Sequence, residues 1–151
     1  LDCHIFHSTQ IYGSSNELIN DLILRLAEEH LYAPYWSQQI LDELRRDLQL
    51  RIGEERSAQR INAMTAAFPK ALVTGLRKAS QKYDMTTRKD RHVLAAADYL
   101  PAQTLVTFNT KDFPETSTQP LRIEVKRPDD FFLDVLDLDQ EEWQEFVTRH
   151  C

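Results

Sequence analysis

Four acidic residues stand where a folded chain would present chemistry: Asp2, Glu43, Asp90 and Asp112. Two of them lie in one informative stretch, Lys89 to Pro114, KDRHVLAAADYLPAQTLVTFNTKDFP. Asp90 opens a predicted helix, where the dipole favours an anion by about 0.3–1 kcal/mol. Val93, Leu94, Ala96 and Ala97 fit the face of a helix packed closely on apolar surface. Pro101 ends it. Thr104 to Phe108 is a short apolar run rich in β-branched residues, the type that fills a buried parallel strand. Asn109, Lys111 and Asp112 emerge at its carboxyl end, where open parallel sheets form their sites. Glu43 lies one position off the apolar stripe of another predicted helix, at the boundary of core and solvent. Asp2 sits inside or just after the end of a first strand, LDCHIF.

Four carboxylates brought within a few ångströms repel one another. Such a cluster persists only if some are protonated or a divalent cation sits among them. Hard oxygen donors without a Cys/His pairing point to Mg²⁺ or Mn²⁺ rather than zinc. A carboxylate-bound Mg²⁺ that keeps several waters is the usual device for activating water against a phosphodiester. Spacing alone leaves the plainer alternative open, in which these acids are solvated surface. Arg91 and Lys111 adjoin two of the acids and are the best-placed phosphate contacts. Asp42 is about 100° round the helix from Glu43, so one of the pair faces the site, and Glu43 is the choice. His92 reads as a packed or hydrogen-bonded surface residue rather than a base. Trp36 reads as a core anchor rather than a base-stacking ring.

The elements that must position these residues follow in order. Ser14 to Glu17 is a capping box for a helix through Glu29. Tyr32 to Pro34 is a short extended piece. A second helix starts at Trp36-Ser37, with Ser37 as N-cap, and runs to about Arg51 before Gly53. A third spans Ser57 to Phe68, and Ala71 to Val73 fits a short strand. After the helix and strand around Asp90 and Asp112, Glu115 to Pro120 reads as a loop and Leu121 to Val125 as an edge strand. Strands separated by helices predict an α/β fold with a parallel sheet. Residues 1–127 would form the domain. Residues 128–151 would form an acidic extension packed on it through Phe131, Phe132, Val135 and Leu136, with an exposed or partner-bound helix beyond Asp139.

Composition supports a globular chain: 151 residues, 42% of them hydrophobic. No apolar run reaches the length of a membrane span. The two cysteines lie at opposite ends without metal-ligand spacing, so a reducing, cytoplasmic setting is expected. Leu1 is not an initiator Met, and one residue before the first acid is too short for a strand, so residues are expected ahead of it. The net charge of −6 speaks against nucleic acid, but its distribution does not. Residues 45–127 carry sixteen basic and nine acidic side chains, net +7, whereas residues 128–151 carry net −7. A basic middle around clustered carboxylates suits a phosphodiester substrate and a metal.

LDCHIF, WSQQILDELRRDL, KDRHVLAAA and LVTFNTKDFP together resemble the successive motifs of PIN-domain nucleases, in particular the VapC-like toxin branch. The resemblance runs from Leu1 to about Leu138. It implies a PIN-like three-layer α/β/α fold with a central parallel sheet, and an endoribonuclease dependent on Mg²⁺ or Mn²⁺. It implies that Asp2, Glu43, Asp90 and Asp112 are the catalytic, metal-holding quartet, that Asn109 is an accessory polar residue and that Thr107 is a buried hydroxyl orienting the site. It further implies an RNA substrate, an antitoxin protein and pairing as a homodimer. The pattern departs at His4, where the family carries Asn or Cys. Two other classes compete: a PIN-like module that binds RNA or protein without cutting, and a phosphotransfer α/β domain with a strand-end Asp nucleophile. The second would want another acid two residues after Asp2, and the sequence there is Cys3-His4.

Overall fold

Five strands pair in parallel in the spatial order β3-β2-β1-β4-β5: β1 Cys3–Phe6, β2 Ala33–Ser37, β3 Leu72–Val73, β4 Thr104–Val106 and β5 Glu124–Lys126. The computed structural model describes residues 3–6, 17–75, 91–100, 104–138, 144 and 147–149. The helices are α1 Glu17–Glu28, α2 Gln38–Ile52, α3 Glu54–Ala67, α4 Arg91–Tyr99, the single turn α5 Glu115–Thr118 and α6 Pro128–Leu138. Short 3-10 turns cover Thr110–Asp112 and Gln119–Leu121.

The strand order fixes where ligands can reach. From β1 the chain steps outward to β2 and then β3, and later returns to the other side of β1 with β4 and β5. The direction reverses between β1 and β4, and such switch points open a crevice at the carboxyl ends of the strands. The register pairs His4 with Thr104 and Phe6 with Val106 across that boundary. All three residues of β4 are buried, as expected for a strand covered on both faces.

Local chemistry sets the helix boundaries. Ser37 ends β2 and caps α2, its Oγ accepting from the Ile40 N–H at 3.2 Å. Gly53, at φ +85°, ends α2 and lets α3 fold back against it. Ile40, Leu41, Leu44 and Leu48 face the core from α2. From α4, Val93, Leu94, Ala96 and Ala97 are buried over β1 and β2. The small alanines allow that close approach. Trp36 is buried with its ring edge-on to Phe68, so it is the core anchor the sequence indicated.

Helix α1 ends in a Schellman turn. Leu31 N–H reaches the Leu26 carbonyl at 3.2 Å and His30 N–H the Ala27 carbonyl at 3.0 Å. His30 takes φ +62°, a left-handed conformation that costs a non-glycine residue about 1–2 kcal/mol. Its side chain is exposed. Glycine there would remove that cost and add about 0.5–1 kcal/mol of unfolded-chain entropy. His30→Gly should therefore raise stability by about 0.5–1 kcal/mol in urea denaturation. A loss would mean that the imidazole makes a stabilising contact.

Several boundaries differ from the sequence reading. Strand β4 stops at Val106, two residues early, because Phe108 and Asn109 belong to the turn that follows. The expected loop Glu115 to Pro120 is helical. Pro114 provides an extended N-cap, Glu115 suits the first turn, and Ser117 and Thr118 are buried. The last strand is shifted to Glu124–Lys126.

Helix α6 joins the core through Phe131 and Val135, while Phe132 and Leu136 are half-buried. Phe131 meets the Tyr32 ring edge-on at 5.0 Å. Lys126 of β5 pairs with Asp134 of α6 and with Glu124 at 3.3 Å. The Asp134 contact holds the Lys126 ammonium above its usual pKa. Farther on, Val147 packs against the core and Arg149 pairs with Glu29 at 2.9 Å. Gln144, Thr148 and Arg149, the other described residues of the tail and the ion-pair partner itself, are exposed.

Candidate active site at the carboxyl edge of the sheet

Helix α2 starts directly at the carboxyl end of β2, which puts Glu43 in its second turn, close to the carboxyl edge. Helix α4 leads into β4. A helix that precedes a parallel strand runs back towards the amino edge, so its first residues, Arg91 and His92, begin at the carboxyl edge. The two helices meet there. Glu43 Oε1 lies 3.1 Å from His92 Nε2, and the two side chains are 10% and 11% exposed.

This placement changes two expectations. Glu43 is buried rather than at a core–solvent boundary, because α4 closes over its face of α2. Its neighbour Asp42 is exposed and accepts from Gln38 Nε2 at 2.9 Å, so Glu43 is the one that turns inward. His92 is not a surface residue. Among the described residues, neither of its ring nitrogens has a hydrogen-bond partner, so the Glu43 contact is close but off the line of a formed bond. Arg91 Nε is also buried without a partner among them.

A second group follows β4. Thr107 is fully buried, and its N–H continues the pairing with β5 through the Lys126 carbonyl at 2.9 Å. Its Oγ1 accepts from the Asn109 N–H at 3.1 Å. The Asn109 side chain in turn donates to Asp112 Oδ2, while Asp112 N–H bonds the Asn109 carbonyl at 3.1 Å. The half-buried Asp112 carboxylate is thus held by a chain of bonds anchored in the sheet. Phe113, buried, pins the far end of the turn. Lys111 is exposed beside it.

Of the four acids, Glu43 and Asp112 are described, and both follow carboxyl ends of strands. Asp2 and Asp90 lie outside the described residues. Among the described residues no group of three or more His, Cys, Asp or Glu is placed to hold a metal ion. The donors that are described fit a hard cation in kind: one buried carboxylate and one oriented carboxylate. The residue that sequence reasoning missed is His92. Its signal was its place in the first turn of α4, the end of that helix that starts at the carboxyl edge.

Among the described residues no helix is long and apolar enough to cross a membrane. No protein-family profile matches the chain. No solved structure matches it. A stretch of 53 residues is 53% identical to Putative ribonuclease VapC50 of Mycobacterium tuberculosis. The stretch covers 35% of this chain and 31% of that protein. Over about a third of its length, then, this chain is similar to a VapC-type ribonuclease, the branch that its motifs resemble.

Proposed function

We propose that the protein is a Mg²⁺- or Mn²⁺-dependent endoribonuclease of PIN type, the toxin of a toxin–antitoxin pair. The observation that carries this reading is the buried Glu43 carboxylate, turned inward at the carboxyl edge where α2 meets the start of α4. A carboxylate is costly to bury, and a site that needs its charge is a good reason to keep it there. The similarity to a ribonuclease and the parallel order around β1 and β4 support the same reading. The full burial of β4 favours the three-layer α/β/α arrangement.

Asp2, Glu43, Asp90 and Asp112 would hold the ion. When bound, it would supply Lewis-acid activation of water and neutralise charge at the phosphate. The chain's own residues supply the rest. Asn109 fixes the Asp112 carboxylate, and Thr107 fixes Asn109. Arg91 and Lys111 would draw in the RNA backbone, Lys111 from an exposed position and Arg91 through a guanidinium whose Nε has no partner among the described residues. An antitoxin protein and a second copy of the chain are the expected partners.

The test is cleavage of RNA by the purified chain with Mg²⁺ or Mn²⁺, with a chelator, and in the Asp90→Asn variant. Cleavage should need the metal and be lost in Asp90→Asn with the fold intact. Undiminished cleavage in the variant would remove Asp90 from the site. RNA that is bound but never cut with either metal would leave a binding module instead.

A further inference from the structure

We infer that His92 is a positioning residue that orients the Glu43 carboxylate across the α2–α4 contact. The inference rests on the metal-nuclease reading above and adds a residue that reading does not use. Three observations lead to it. His92 Nε2 lies 3.1 Å from Glu43 Oε1. Both side chains are about nine-tenths buried, so water competes little for either group. Neither imidazole nitrogen has another partner among the described residues, so the ring is free to turn towards the carboxylate.

Geometry explains how it would act. The aryl-like χ2 of histidine has a broad minimum, so a modest ring rotation brings Nε2–H onto the carboxylate without leaving the rotamer. One carboxylate oxygen is then fixed and the other is aimed by it. Carboxylates that hold an ion are commonly oriented by hydrogen bonds of this kind. The contact also links two elements. Glu43 rides on α2 and His92 on the first turn of α4, so the pair sets the spacing of helix starts that carry Glu43 and directly follow Asp90.

The experiment measures Mn²⁺ binding to the full chain by calorimetry without RNA, with thermal melts as the fold check. His92→Ala and His92→Asn should weaken binding by about 10–100-fold. His92→Gln, whose amide nitrogen reaches the position of Nε2, should restore most of it. In a Glu43→Gln background, His92→Ala should cause no further loss, because its effect passes through that carboxylate. Wild-type affinity in His92→Ala would overturn the inference, as would an equal loss in the Glu43→Gln background. If His92→Ala does not fold, the difference between the Asn and Gln variants decides, and equal affinities overturn it. A wild-type chain that takes up no Mn²⁺ would overturn the metal reading itself, and this inference with it.

Discussion

Glu43→Gln protein should lose RNA cleavage by on the order of 10³-fold, about 4 kcal/mol of transition-state stabilisation, and keep its fold. The two halves of that result have separate causes. The substitution preserves the volume of a side chain packed between α2 and α4, so no cavity forms. It removes a charge whose burial works against folding, which offsets the lost attraction to His92. Stability should therefore stay within about 1 kcal/mol of wild type. On the proposed metal-nuclease reading activity should not survive, because a neutral amide is a poor donor to a hard cation. Cleavage assays and urea denaturation on the same preparation separate the outcomes. A variant that cleaves normally would make Glu43 a structural partner of His92. A variant that unfolds would assign the buried pair to stability.

Phe131→Ala should cost about 3–5 kcal/mol, the range for removing a fully buried aromatic ring. Phe131 is 2% exposed and stacks edge-on with Tyr32, itself buried and bonded through its hydroxyl to the Ile23 carbonyl at 2.6 Å. Truncation therefore empties the seam between α6, α1 and the segment entering β2. A domain of this size is stable by about 5–15 kcal/mol in total, so the loss is a large fraction of it. Leu133, two positions along on the opposite face of the helix and 59% exposed, is the control and should change stability by less than about 0.5 kcal/mol on truncation. Equal effects from the two substitutions would contradict the packing of α6.

What could be read from the sequence followed the strength of each local signal. The Val93, Leu94, Ala96, Ala97 face, the Ser37 cap and the Gly53 stop were all legible, because periodicity and capping act within a few residues. So was the choice of Glu43 over Asp42, which needs only helix geometry. The burial of Glu43 was not, since it depends on α4, whose residues lie about fifty positions further along. The burial of His92 escaped for the same reason: a histidine in the first turn of a helix is ordinary until another helix packs on it. The turn Glu115–Thr118 escaped because Glu-Thr-Ser-Thr has weak helix propensity and is held by its ends and its buried hydroxyl side chains. The linkage of Thr107, Asn109 and Asp112 was half visible. The residue types suggested a polar turn, but only the fold shows that Thr107 anchors it to β5.

The order of the strands also dictates a schedule for synthesis. Strand β1 can pair with β2 and then β3 once Val73 has left the ribosome. Its other neighbour, β4, arrives only about a hundred positions after it. Domains form as their segments emerge, and distant pairings close last. The growing chain therefore carries Glu43 on a partly built sheet with its β4 flank uncovered. Asp112 and the turn that holds it come only with the second half. A nascent fragment has one side of the crevice and no opposite wall, so the crevice closes only when β4 locks beside β1.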